Sequence, residues 1–380
     1  MIAYLDNAAT TPMRPEAVAA MLPFLTERFG NPSGVHRVAR QARQALDEAR
    51  DTVAACLGCQ PGEIVFTGGG TEADNLALFG VVARRGGVPV CTAVEHHAVL
   101  HSVTALGGRV VPVHPSGLVD LDALAGALGD DVSVVSVMLA NNEVGTVQPL
   151  AEVAALVAER APGAVLHTDA VQAFPWVDVA AAAAGASLIA VSAHKFGGPK
   201  GVGALVVRQG VPVRPIIHGG GQERDRRSGT HNVAGIVAMA AAMAATVAGR
   251  EATNQRVAAL RDRLAGDILA AVSGARETGD RSQKIAGNCH LRFDGIESEA
   301  LLVLLDEAGV CASAGSACAS GAMEPSHVLR AMGISVTDAL SSLRLSLGVT
   351  TTEAEIDLAG KAVPDAVGAL RSRARARTAG

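Results

Sequence analysis

The chain has 380 residues, 49% of them hydrophobic and 18% charged, a balance that supports a large buried core and excludes a disordered, collagen-like or coiled-coil protein. With 32 Lys and Arg against 37 Asp and Glu the net charge is −5, and the only basic block is RSRARAR near the C-terminus, so no electrostatic footprint for nucleic acid is present. Aromatic residues make up only 2%, which leaves no stacking platform for bases and requires an aliphatic, alanine-rich core.

The N-terminal MIAYLDNAATTP has no charged stretch followed by an apolar one, so a cytoplasmic location is expected and a secretory signal is not. In chain order, strands are predicted at Glu63–Thr67, Val88–Ala93, Arg109–His114, Val132–Leu139, Val165–Thr168, Ser187–Val191 and Gly203–Val207, between Ala-rich helical stretches. Strands alternating with helices predict an α/β domain with a mainly parallel, seven-stranded sheet covered on both faces. The uncharged Val233–Gly249 approaches membrane-spanning length, but Ala and Gly dominate it, so it reads as a buried helix and no membrane association is expected. After Arg250 the pattern changes to a long charged helix over Glu251–Val272, a short strand near His290–Phe293, a helix from Glu297, a Gly/Ser/Ala loop and a strand around Leu343–Ser346. A large domain over 13–249 and a smaller α+β domain from 1–12 with 250–380 are therefore expected.

Three segments carry chemistry. In EIVFTGGGTEADN, residues 63–75, a strand runs into three glycines and a helix start, where free backbone N–H groups attract an anion; the same residues could equally be a glycine turn with Thr71 as a helix cap. In VLHTDAVQ, Asp169 ends an apolar strand, the place where open α/β sheets bind ligands, although taken alone an aspartate there is more often a turn or cap residue. In SLIAVSAHKFGGPKG, Ser192, His194 and Lys195 follow a strand; a partly desolvated lysine there has a lowered pKa and suits a Schiff base, and composition alone does not separate Lys195 from Lys200. An anion cradle, an acid for a pyridinium nitrogen and a Schiff-base lysine are together the handles that pyridoxal phosphate requires.

The chain resembles the cysteine desulfurases of the NifS/IscS type, which are fold-type I pyridoxal-phosphate enzymes. The resemblance rests on YLDNAATTP, FGNPSGVH, FTGGGTEADN, VEHHAVL, NNEVGTVQP, HTDAVQ, SAHKFGGPKGVGAL, HGGGQERDRRSGT, ASAGSACASGAMEPSHVLRAMG and SSLRLSLG, and reaches from residue 4 to about residue 350. It implies that Lys195 holds the cofactor, Asp169 pairs with its ring nitrogen, Gln172 contacts the ring hydroxyl and His96 stacks on the ring. The phosphate falls to Thr71, Ser192 and His194, with Thr230 supplied by the second subunit of a homodimer, and Gly70 and Glu72 complete the cofactor-binding set. Asn142 lies beside the ring, and Arg344 grips the carboxylate of L-cysteine with help from Asn31. Cys318, in the small-residue loop, is the implied nucleophile that takes sulfur as a persulfide, with His96 as its acid/base partner. The acceptor is then a protein such as an iron–sulfur scaffold or a tRNA- or DNA-thiolation enzyme, left open because the chain ends without the longer tail that docks a scaffold. A selenocysteine lyase or an aminotransferase is the alternative on the same fold.

The remaining cysteines and histidines carry blander expectations. Cys56 and Cys59 form an isolated CxxC, read as helix-end packing; Cys91 and Cys289 read as core, and Cys311 as a bystander thiol. His97 and His101 are spaced i, i+4 but lack the HExxH glutamate, so no metal is expected. Asp225 stands where the family carries a small residue, which puts the loop before Thr230 in question.

Overall fold

The computed structural model describes residues 2–314 and 324–379. Its strands are β1 (Ala3–Tyr4), β2 (Ile64–Thr67), β3 (Val88–Thr92), β4 (Arg109–Val111), β5 (Val132–Ser136), β6 (Val165–Asp169), β7 (Leu188–Ser192), β8 (Gly203–Val207), β9 (Ala275–Glu277), β10 (Asn288–Phe293), β11 (Val310–Cys311) and β12 (Ser342–Ser346). Seven of them form one sheet in the order β2-β8-β7-β6-β5-β3-β4. The pairs from β7 to β4 are parallel, and β8 runs antiparallel to both β7 and β2. The sheet is the mainly parallel, seven-stranded one expected, with a single reversed strand.

Period-two alternation divides the strand residues between two apolar layers. Ile64, Phe66, Ile189, Val191, Ala204 and Val206 pack into one core, and Val65, Leu188, Ala190, Leu205 and Val207 into another. Because both faces are covered, the strands read as continuous apolar runs rather than alternating ones. Helix Gly70–Arg85 lies over the second layer, while helix Arg37–Leu57 and the start of helix Val233–Ala271 lie over the first.

A further core joins Ala3 and Leu5 to Leu260, Leu264, Ile268, Leu291, Phe293, Leu343, Leu345 and Val363, around the antiparallel sheet β9-β10-β12. The two helices expected over 233–249 and 251–272 are one helix of 39 residues, Val233–Ala271. No proline or cap interrupts it: the change at Arg250 is one of solvent exposure and not of backbone, since the helix leaves the first core and enters the second. By length and composition this helix could cross a membrane, but 56% of its most apolar window is buried in the protein. The Cys56 and Cys59 side chains are half-buried against the first core, as expected of helix-end packing.

Candidate active site

The carboxyl ends of β2, β5, β6 and β7 converge with the turn after β3 on one cavity of about 290 Å³. Ala8, Ala9, Gly70, Thr71, Asp74, His96, Asn142, Asp169, Gln172, Ser192, His194, Lys195 and Arg344 line it, so ten of the residues singled out in the sequence meet in one place.

The turn after β2 places Gly69 at φ 153°, and helix Gly70–Arg85 begins close beside Ser192. A Cβ on Gly70 would lie 2.8 Å from a methyl of Val171, and one on Gly203 2.6 Å from the Val191 carbonyl oxygen, so glycine is required for this close approach. The cap position belongs to Gly69, with Thr71 two residues on, which leaves the exposed Thr71 hydroxyl free of a capping role. Together with Ser192 and His194 this forms a cradle suited to a phosphate.

Lys195 follows β7 in a short 3₁₀ turn, and its Nζ donates to the carbonyl oxygens of Ala8 and of Ala9, the latter at 2.9 Å. Burial first, and then Arg344, lower its pKa to about 8, against the opposing pull of Asp169 and Asp6. Lys200 is exposed and faces a neighbouring groove, so position now separates the two lysines. Asp169 closes β6; its Oδ1 accepts from Val171 N at 2.8 Å, and burial raises its pKa while His96, the Val171 amide and Lys195 act against the shift. Gln172 donates to the Ala8 carbonyl at 2.8 Å.

His96 stands on the exposed wall of the cavity and caps helix His97–Ala105, its Nδ1 accepting from Ala98 N at 3.1 Å. Partial burial lowers its pKa, as do Lys195, His327 and His101, and Asp169 opposes them. Beside it the His97 ring lies 4.7 Å from His101 and 4.4 Å from His327. Among the described residues no cluster of His, Cys, Asp or Glu has the geometry to hold a metal. The His194 Nδ1 lies 3.2 Å from the Thr10 hydroxyl, and burial, then Lys195 and Lys200, lower its pKa to about 4.

Arg344, on β12, is buried; Nη2 donates to Asp6 at 2.8 Å and Nη1 to the Asn142 carbonyl at 3.1 Å, while Nε is buried without a partner among the described residues. An unpaired guanidinium N–H beside a ligand cavity fits a carboxylate. Glu72 is placed differently from its neighbours: its carboxylate accepts from Gly68 N at 2.7 Å and pairs with Arg227 at 2.8 Å, bracing the turn from outside the cavity. Asn31 and Thr230 are exposed and do not line this cavity, and Cys318 lies outside the described residues.

Several charged residues in or beside the cavity were not singled out in the sequence. Asp74, one turn into helix Gly70–Arg85, faces the cavity fully buried; burial, then Asp169 and Glu95, push its pKa well up. Burial also raises Glu95 to about 8. Asp6 and Glu143 lie inside quoted motifs, and only the fold brings them to Arg344 and Ser326. Asp225 sits at φ 62°, a left-handed position that explains the small residue expected there and that aspartate tolerates better than most residues.

The observed donors fit a phosphorylated pyridine: an amide cradle, a carboxylate at strand end and a desolvated lysine share one cavity. Residues 3–358 match the family described as aminotransferase class-V. The chain is 47% identical over 390 residues to an IscS-like cysteine desulfurase of Mycobacterium tuberculosis, covering 99% of this chain and 98% of that one. It is 44% identical over 377 residues to a cysteine desulfurase NifS of Azotobacter vinelandii, covering 97% and 93%. A solved structure titled NifS-like protein superposes with a TM-score of 0.90 at 35% identity, covering 97% of this chain and all of the other. The chain belongs to the class-V aminotransferase family and, within it, to the NifS/IscS-type cysteine desulfurases.

Proposed function

We propose that the cavity around Lys195 holds pyridoxal 5′-phosphate and that the enzyme removes sulfur from L-cysteine onto Cys318, releasing L-alanine. The observation that carries this reading is the meeting of Lys195, Asp169 and the Gly69–Thr71 helix start in one cavity with the half-paired guanidinium of Arg344. Gly70, Thr71, Ser192 and His194 would hold the phosphate, Lys195 the aldehyde carbon, Asp169 the ring nitrogen, Gln172 the ring hydroxyl, and His96 and Asn142 the ring. When bound, the cofactor supplies an electron sink for the substrate α-carbon.

The protein's share of the chemistry follows from its charges. Lys195, with a pKa near neutrality, is able to take a proton from the substrate and return it. Arg344 binds the substrate carboxylate, with Asn142 beside it. The Cys318 thiolate attacks the substrate sulfur, the bond from that sulfur to Cβ breaks with its electron pair passing into the carbon skeleton, and a proton delivered to Cβ completes alanine. His96, with its lowered pKa, is neutral near pH 7 and suited to take the thiol proton.

The persulfide then passes to an acceptor protein, for iron–sulfur cluster assembly or thio-modification, in the cytoplasm. We further propose a homodimer in which Thr230 and Asn31 serve the partner's cavity, supported by their exposure and by the exposed apolar Leu22, Leu25, Phe29 and Val35 near Asn31. Residues 13–249 are proposed as the cofactor-binding domain and 1–12 with 250–380 as the domain carrying the Cys318 segment.

The test is the absorbance spectrum of the purified protein, then alanine and sulfide released from L-cysteine with a reductant, for the parent and Cys318→Ala. A visible-edge band with Cys318-dependent alanine supports the reading; alanine formation that survives Cys318→Ala sinks the persulfide step and favours selenocysteine-lyase or aminotransferase chemistry.

A further inference from the structure

Glu223 lies outside the cavity, yet it is the most heavily bonded carboxylate near it. Its side chain is 1% exposed. Arg50 donates to it through Nη2 at 2.6 Å and Nη1 at 2.9 Å, the Phe66 amide donates at 2.9 Å, and His231 Nε2 lies 2.7 Å from Oε1. Arg50 in turn donates to the Ile64 carbonyl at 2.8 Å and lies over the Phe66 ring. Phe66 and Ile64 belong to β2, whose end becomes the Gly68–Thr71 turn, and His231 is the neighbour of Thr230. A second tie comes from the same loop: Arg227 pairs with Glu72, which accepts from the Gly68 amide. The loop 222–231 thus grips the glycine turn from both sides, through Phe66 before it and Glu72 after it.

The loop itself is strained. Glu223, Arg224 and Asp225 have φ of 50°, 57° and 62°, three consecutive non-glycine residues in the left-handed region. Such backbone persists only where the surroundings over-determine it. The bonds converging on the Glu223 carboxylate are that determination, since a buried charge with this many donors has one position.

We infer that Glu223 is a positioning residue for the anion cradle, holding β2 and the 222–231 loop on one carboxylate and thereby setting the Gly68–Thr71 turn for a phosphate. The inference rests on the cofactor reading above and adds a residue that never touches the cofactor. It separates binding of the phosphate from binding of the ring, because Lys195, Asp169 and Gln172 hang from β6, β7 and the N-terminal segment and are not bonded to Glu223.

The test titrates the apo form of the full chain with pyridoxal 5′-phosphate and, separately, with pyridoxal, which lacks the phosphate, following the Schiff-base band. Glu223→Gln keeps the volume and removes the charge; it is expected to weaken pyridoxal 5′-phosphate at least about tenfold and to leave pyridoxal nearly unchanged. His231→Gln, which alters only one of the bonds, is expected to shift the ratio of affinities the same way to a smaller extent, and it decides the question if Glu223→Gln does not fold. Equal losses for both ligands, or an unchanged ratio in a folded variant, overturn the inference and leave the cofactor reading standing. A parent chain that binds neither ligand, or does not distinguish them, overturns both.

Discussion

Ser313 and Arg344 exchange backbone hydrogen bonds in both directions, Arg344 N to Ser313 O at 2.6 Å and Ser313 N to Arg344 O at 3.1 Å. Ser313, which precedes the segment that carries Cys318, is therefore tied to the strand whose side chain is the proposed carboxylate anchor. On its far side Ser326 donates to Glu143, the neighbour of Asn142, and His327 Nε2 lies 2.9 Å from the Glu95 carbonyl. Ser313 is thus bonded to a residue that lines the cavity, and Ser326 to the neighbour of one that does.

Arg344→Lys is expected to raise KM for L-cysteine with a smaller change in kcat. Lysine keeps the charge but loses the planar fork that bonds Asp6 and the Asn142 carbonyl while leaving Nε for the proposed substrate carboxylate. The expected loss in kcat/KM is roughly 2 kcal/mol, about thirtyfold, read from steady-state kinetics on alanine release. A pure kcat effect would argue against a binding role.

Asp74 and Asp169 are expected to respond in opposite ways to the same substitution. Burial and the neighbouring Asp169 and Glu95 push the Asp74 carboxyl toward its neutral form, which Asp74→Asn mimics, so this substitution should leave turnover within a few-fold of the parent. Asp169→Asn removes the charge proposed to hold the pyridinium and should cost at least about a hundredfold in kcat. Equal losses at both positions would mean that Asp74 carries the charge.

Capture of the cofactor by the apo protein should depend on pH. Only the neutral Lys195 amine attacks an aldehyde, and its pKa of about 8 lies below the ordinary lysine value. The capture rate is expected to rise about tenfold per pH unit below pH 8 and to level off above it, measured by stopped-flow absorbance. A rise that continues to pH 10 would place the amine in an ordinary solvated setting.

His290, on β10 opposite Arg344, is wholly buried and neither ring nitrogen has a partner among the described residues. Burial, then Lys284, Arg344 and Arg292, lower its pKa to about 3. A folded-state pKa below the unfolded value of about 6.5 means that the unfolded chain binds the proton first, so stability is full above pH 6.5 and falls as the pH drops toward 3. His290→Leu should flatten the urea-unfolding free energy in that window by up to about 1.4 kcal/mol per pH unit relative to the parent. An unchanged slope would mean that His290 is solvated.

The strand positions, the α/β class and the residues that meet in the cavity were legible in the sequence because each signal is local. Continuous apolar runs follow from burial on both sheet faces, and the glycines of FTGGGTEADN mark a close backbone approach that no other residue permits. Lys195 and Asp169 stood out because they end such runs. What the sequence left open was decided by contacts between distant segments. The choice of Lys195 over Lys200 depends on the reversed strand β8, which turns the chain back after β7 and leaves Lys200 on the outer groove. The single helix Val233–Ala271 reads as two because amphipathic character changes where it passes from one core to the next, while its backbone bonds do not. Asp6 and Glu223 gain their roles from partners 338 and 173 residues away, Arg344 and Arg50. Charge pairing in a buried site is set by three-dimensional proximity and desolvation, and neither is written in the order of the residues.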